Sequence, residues 1–369
     1  MKTTDPASRI VFLDYLRVAA CFMVILVHSI EPFYLGGEGT YIASPSDAFW
    51  VTLLDSALRA AVPLFVMTSS YLLFPVKGST SEFFRRRAVR VLLPFIFWAI
   101  MYAVVPMWGS GGETDAAGNL RHLALNFTDN AGHLWFVYML LGIYILMPVI
   151  SPWAERLTRR GERIFLAAWA FTTLVPFLHQ AAIALFGRAE IWGEANWNEF
   201  GTLYYISGFI GYVILGHYIR RYVDWSWRRT LAVAIPLFAA GYAITAAWFW
   251  HCIPSEYPVN APIDLAVEME MSWRFCSTGV AMTTVALFLI FKKFSRPGRA
   301  YPLVERLSRL SYGIYLMHIF VLTAAYDIIS QWALATPVTM LLTAAATFVV
   351  CAVATRIISL IPKSKYIIG

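Results

Sequence analysis

About ten stretches of roughly twenty apolar residues recur along the chain, near 10–33, 48–74, 88–107, 133–152, 163–186, 200–219, 230–250, 272–291, 308–330 and 338–361. Each is long enough to cross about 30 Å of hydrocarbon as a helix. With 59% hydrophobic and only 14% charged residues and a mean hydropathy of +0.62, the chain has too little polar surface to stay in water. Its 14 Trp suit many helix ends at headgroup level. The fold class expected is all-α, a polytopic transmembrane helix bundle of about ten helices. It would form one domain over 9–362, with short cytoplasmic tails at 1–8 and 363–369.

Loop charge sets the orientation, because Lys and Arg stay on the cytoplasmic side. One set of loops holds Lys2 and Arg9, Lys77 with Arg85, Arg86, Arg87 and Arg90, Arg156 to Arg163, Arg220 to Arg229, Lys292 to Arg309, and Arg356, Lys363 and Lys365. The opposite loops hold Glu31, Glu38 and Asp47, then Glu113, Asp115 and Asp129, then Glu190, Glu194 and Glu199, and finally Glu256, Asp264, Glu268 and Glu270. This alternation predicts that both termini are cytoplasmic. The first span, about 24 residues long and carrying Asp14, Arg17 and His28, is too long and too charged for a cleaved signal.

Several function classes fall away. The net charge of +7 is gathered between apolar spans, which argues against nucleic-acid binding. No phosphate-binding glycine loop follows a strand pattern, so nucleotide hydrolysis and dinucleotide redox chemistry have no support. Cys21, Cys252, Cys276 and Cys351 are scattered without His at ligand spacing, so no metal site is expected. A Cys252–Cys276 bridge stays open.

The informative residues are polar ones inside the spans. Arg17 and His28 stand eleven residues apart, three helical turns plus about 20°, so they share a face about 16 Å apart. Arg17 lies toward the cytoplasmic end and His28 toward the outer leaflet. An intramembrane Arg is costly unless paired or lining a cavity. It either snorkels and pairs with Asp14 or holds an anionic donor, with a desolvated His28 above it acting on a hydroxyl. Glu31, three residues on, is placed to accept the other ring N–H and fix the tautomer.

At the mouth of the third span, Arg85, Arg86, Arg87 and Arg90 precede Pro94. They read as a positive-inside anchor, or as guanidinium forks for the phosphates of a nucleotide-bearing acyl donor, with Arg87 and Arg90 on one face. His133 and Trp135 in His-Leu-Trp-Phe belong to an interfacial belt or stack and bond a sugar. Tyr312, Tyr315 and His318 form a three-residue stripe, in which a hydrogen-bonded core histidine is the plainer reading. Asp55 and Arg59, at i and i+4, are expected to pair inside the bundle. Thr68, Ser69 and Ser70 suit close helix packing or a narrow passage. Glu268, Glu270 and Arg274 near Trp273 read as contacts for a polar acceptor or, more plainly, as a solvated loop.

Taken in order, Asp14-x-x-Arg17 with ten residues before His28, Phe65-Val-Met-Thr-Ser-Ser-Tyr71, the Arg86/Arg87/Arg90 cluster ending in Pro94, His133-Leu-Trp-Phe and Tyr315-Leu-Met-His318 resemble the family 3 membrane acyltransferases. The likeness covers essentially the whole chain. It departs at Ser69-Ser70, where that family usually has Ser-Gly.

The resemblance implies transfer of an acyl group, usually acetyl from cytoplasmic acetyl-CoA, to a hydroxyl of a glycan or lipid-linked carbohydrate at the outer side of a bacterial inner membrane. It implies His28 as the catalytic residue with Arg17 as its companion, and Arg87 and Arg90 as candidates for the CoA phosphates; with that chemistry, Glu31 is expected beside His28 and Arg86 beside the phosphate candidates. His133, Trp135, Tyr315 and His318 would contact substrate. No permanently bound cofactor, metal or nucleic acid is implied, and neither the acceptor's identity nor the oligomeric state is set by these residues. A secondary transporter is the rival reading, although no paired Gly/Pro-interrupted helices occupy matching halves. A non-catalytic partner in envelope assembly is a third.

Overall fold

The computed structural model describes residues 9–109, 112, 114–188, 191 and 203–369. Residues 1–8, Glu113, Glu190, Glu194 and Glu199 lie outside the described residues. In chain order, α1 (Val11–Ile30) is followed by strands β1 (Leu35–Gly36) and β2 (Gly39–Ile42), α2 (Pro45–Leu58), α3 (Ala61–Leu73) and α4 (Thr80–Arg87). A π-helical turn at Ala88–Leu92 leads into α5 (Leu93–Val104), then α6 (Ala116–His122), α7 (Trp135–Arg156) and α8 (Arg159–Phe186). Next come α9 (Ile210–Tyr222), α10 (Trp227–Cys252), β3 (Val259–Pro262), α11 (Ile263–Met269) and α12 (Thr278–Phe294). The chain closes with α13 (Tyr301–Ser330), α14 (Thr336–Ile358) and α15 (Lys365–Ile368).

Among the described residues, eight helical stretches are long and apolar enough to cross a membrane, and α11 with α12 adds a ninth bent by 46°. The protein is a multi-pass helical membrane protein. Among the described residues of the stretch at 200–219, α9 is 13 residues long and follows Gly208 at φ +73, while 200–202 lie outside them. The apolar windows of α8 and α10 are just 17% and 22% buried, against 61% for Pro45–Leu73, so the described residues leave most of those two helices uncovered.

The chain groups into two compact units, Met1–Pro32 with Val76–Pro148 and Ser295–Gly369, and Phe33–Pro75 with Val149–Phe294. In the first unit, α1 and α13 run parallel and touch at successive levels. Asp14 is bonded by Tyr301 and Ser308, Cys21 Sγ lies 3.6 Å from the Ser311 carbonyl, and the rings of His28 and His318 meet. Ser29 Oγ donates to the Met340 carbonyl of α14 at 3.0 Å. A Cβ at Gly313 would sit 2.6 Å from Thr355, so α13 and α14 approach closely only because that position is bare. Residues 363–369 pack against α5: Ile368 is buried and Trp98 donates to the Ile367 carbonyl at 2.9 Å.

In the second unit the three short strands form an antiparallel sheet in the order β1-β2-β3. The expected Asp55–Arg59 pair is present at 2.5 Å, and Arg59 also reaches Tyr34 Oη at 3.1 Å and Glu270 at 3.9 Å, with Trp273 under its guanidinium at 4.4 Å. Glu270 and Trp273 therefore do not belong to a solvated loop: Tyr34 donates to Glu270 at 2.5 Å, and Trp273 is buried, stacked on Phe249 at 3.8 Å. Burying Arg59 obliges the chain to bring carboxylates and a ring to it. Ser70 donates to the Val213 carbonyl at 2.5 Å while Gly216 lies against Met67 and Ser70, the close packing that small residues permit. All four cysteines are free.

Candidate active site

The site is built on α1, and its lower part depends on which cation takes Asp14. Asp14 and Arg17 are three apart on one helix, spacing at which opposite charges normally pair. The structure pairs Asp14 elsewhere. Arg9 clasps it with Nε to Oδ2 at 2.6 Å and a second guanidinium nitrogen to Oδ1 at 2.7 Å, while Tyr301 and Ser308 donate at 2.9 and 2.6 Å. Four donors saturate this buried carboxylate, which leaves nothing for Arg17.

Arg17 is half-buried and has no ion-pair partner among the described residues. The charges and dipoles felt at Arg17 include those of Asp14, Tyr144, Arg9 and Arg87. Arg87 itself sits between Phe83 and Tyr144, at 5.8 and 5.7 Å from their ring centres, with its buried Nε unbonded among the described residues. The other two arginines of the cluster differ: Arg86 is exposed and paired with Glu82, and Arg90 is exposed. The reading of Arg87 and Arg90 as one face is corrected here. The wider π turn that begins at Ala88 offsets them, leaving Arg87 turned in and Arg90 turned out.

Higher on α1, His28 Nδ1 lies 2.9 Å from Glu31 Oε2, the contact that the i, i+3 spacing anticipates. Two more imidazoles close on it. His318 is 5.2 Å from His28 between ring centres, His133 is 6.5 Å from it, and His133 and His318 are 4.9 Å apart. His133 is buried in a frame of Tyr102 and Tyr315, at 5.0 and 5.8 Å, so it is not part of an interfacial belt. Tyr315 donates its hydroxyl to the His133 carbonyl. Tyr102, itself stacked on Phe320 at 4.1 Å, donates to the Leu316 carbonyl at 3.1 Å.

Three ring nitrogens in this cluster are buried without a hydrogen-bond partner among the described residues: both of His133 and Nε2 of His318. Buried polar atoms are nearly always satisfied, so those left open call for an explanation, a catalytic or ligand-binding role among them. Despite the three imidazoles, no group among the described residues has the geometry to hold a metal ion. Trp135, half-exposed, lies 6.4 Å from Phe136.

A family described as an acyltransferase domain, the third of that designation, matches residues 10–356. The chain belongs to acyltransferase family 3. The acyltransferase is also similar to nodulation protein 10 of Rhizobium leguminosarum bv. viciae, at 23% identity over 331 residues, covering 84% of this chain and 82% of that protein. No solved structure matches.

In the acyltransferase, the structure gathers His28, Glu31, His133, Tyr315 and His318 at one level, with Arg17 lower on α1 and Arg87 turned in against Phe83 and Tyr144. Arg86 and Arg90 stay outside that arrangement. Reading the sequence missed Arg9, Tyr102 and Tyr144. Tyr102 and Tyr144 lie deep in their spans, which hydropathy shows, but the face each presents depends on partners far along the chain.

Proposed function

We propose that this acyltransferase moves an acyl group, acetyl by preference, from acyl-CoA to a hydroxyl of a cell-surface or envelope carbohydrate across a bacterial inner membrane. The basic end of the bundle is then cytoplasmic, with both termini there. The observation that carries the reading is the arrangement on α1: an Arg17 with no ion pair among the described residues at one level, and about three turns above it an imidazole held by Glu31.

Arg17 and Arg87 offer planar, permanently charged donors to the phosphates of the donor. The vertical gap of about 16 Å calls for a donor whose reactive carbonyl sits on a long arm away from its phosphates, as a phosphopantetheine thioester does. At the upper level, Glu31 holds the proton of His28 on Nδ1 and so presents Nε2 as a lone pair, the same use of a carboxylate to fix a tautomer that acyl-transfer triads make. The buried histidines His133 and His318 supply unmet acceptors for a hydroxyl-rich substrate.

The test is acyl transfer by purified protein from labelled acetyl-CoA to an extracted glycan. In His28→Ala, transfer falls by about 10²- to 10⁴-fold, the usual contribution of a positioned acid–base group. Full activity in a folded His28→Ala variant sinks the assignment.

A further inference from the structure

Two imidazoles in the cluster are prepared in parallel ways but tied to different anchors. His28 and His318 each stand seventeen residues from the start of their helices, Val11 and Tyr301, on neighbours that run side by side. In His318, Nδ1 lies 2.5 Å from the carbonyl oxygen of Tyr315. A carbonyl can only accept, so that nitrogen carries the proton and Nε2 is a fixed lone pair. The side chain is fully buried and Nε2 has no partner among the described residues. Buried polar atoms are nearly always bonded, so the open Nε2 calls for an explanation, and a catalytic role is one that fits its place beside His28.

Resting on the acyl-transfer reading, we infer that the two histidines divide the reaction: His28 carries the acyl group and His318 takes the proton of the acceptor hydroxyl. The anchors suit these roles. Glu31 places a carboxylate against His28 Nδ1, which stabilises the positive charge an imidazole acquires on acylation. Once Nε2 of His28 bears the acyl group and Nδ1–H is bonded to Glu31, that ring has no lone pair left to act as a base. A second acceptor is required, and His318, 5.2 Å away, holds one open.

In the first step, His28 Nε2 attacks the thioester carbonyl, an N–C bond forms, the C–S bond breaks and CoA departs as the thiolate. In the second, the acceptor oxygen attacks the acyl carbon while His318 Nε2 removes its proton. The O–C bond forms, the C–N bond breaks, and its electron pair returns to His28. The proton then passes from His318 to the thiolate through solvent. The balance is thioester plus alcohol giving ester plus thiol.

The experiment uses the full chain in lipid nanodiscs with labelled acetyl-CoA, read twice. Without acceptor, released CoA thiol and label retained on the protein are measured; with extracted glycan, transfer is measured. Wild type and His318→Gln should both release about one CoA per chain and retain label, while His318→Gln transfers to the glycan about 100-fold more slowly. His28→Ala should do neither. In His318→Ala, added imidazole should restore transfer, which a merely structural loss would not allow. Wild-type transfer by His318→Gln overturns the role of His318. A wild type that releases no CoA until acceptor is present overturns the acyl-carrying role of His28. A wild type that consumes no acetyl-CoA even with acceptor overturns both, together with the acyl-transfer reading itself.

Discussion

Arg59 and Arg17 are both arginines inside membrane-crossing helices, and they are treated in opposite ways. Arg59, in the second compact unit, is met by Asp55, Tyr34 and Glu270 and lies over Trp273. Arg17, in the first, is adjacent on its own helix to an acid that Arg9, Tyr301 and Ser308 have already claimed. Burial of a charge must be offset somewhere. Arg59 is offset by the protein, which marks it as part of the scaffold. Arg17 has no such ion pair among the described residues, and in the proposed reading the donor's phosphates offset it.

The largest effect that would test this contrast is on stability. Arg59→Ala strands the buried Asp55 carboxylate and should cost about 3–5 kcal/mol, read by thermal unfolding in detergent. Replacing both, as Asp55→Leu with Arg59→Met, should recover most of the loss. Arg17→Ala should leave the unfolding temperature unchanged or raise it, while kcat/KM for the donor falls roughly 10- to 100-fold, the worth of a hydrogen bond to a charged group of about 1.5–3 kcal/mol. Destabilisation by Arg17→Ala matching that of Arg59→Ala would break the comparison.

Arg9→Gln should free Asp14 to pair with Arg17 at i+3 and raise the donor KM several-fold with little change in kcat. Adding Asp14→Asn to Arg9→Gln should return KM toward wild type, because no carboxylate then competes with the donor. The smallest effect belongs to Arg86→Ala. Its pair with Glu82 is exposed and should be worth below about 0.5 kcal/mol, with transfer kinetics unchanged. A large rise in donor KM in Arg86→Ala would place the phosphates outside the field of Arg17 and Arg87.

The spans were legible because hydropathy accumulates over consecutive residues, and the pairs Asp55–Arg59 and His28–Glu31 were legible because helical spacing fixes them. What the sequence hid depends on distant partners. Tyr301 and Ser308 are 287 and 294 residues from Asp14, and with Arg9 they decide whether Arg17 is paired. His318 and His133 meet His28 only through packing of three separate elements, so each looked like an isolated core or interfacial residue. Arg87 and Arg90 were read with an α-helical period that the π turn does not keep. The 13-residue length of α9, just after Gly208 at positive φ, was likewise invisible to a hydropathy window.

That π turn also works as a gear. A widened turn holds about one residue more than an α-helical turn, so closing Ala88–Leu92 into ordinary helix with no residue removed would rotate everything above it by roughly 80–100°. The span would keep its hydropathy and nearly its length. Tyr102, whose ring edges His133 and whose hydroxyl holds the Leu316 carbonyl, would swing out of that frame. In α5, a single backbone residue thus times the alignment between the basic mouth of the bundle and the imidazoles above it.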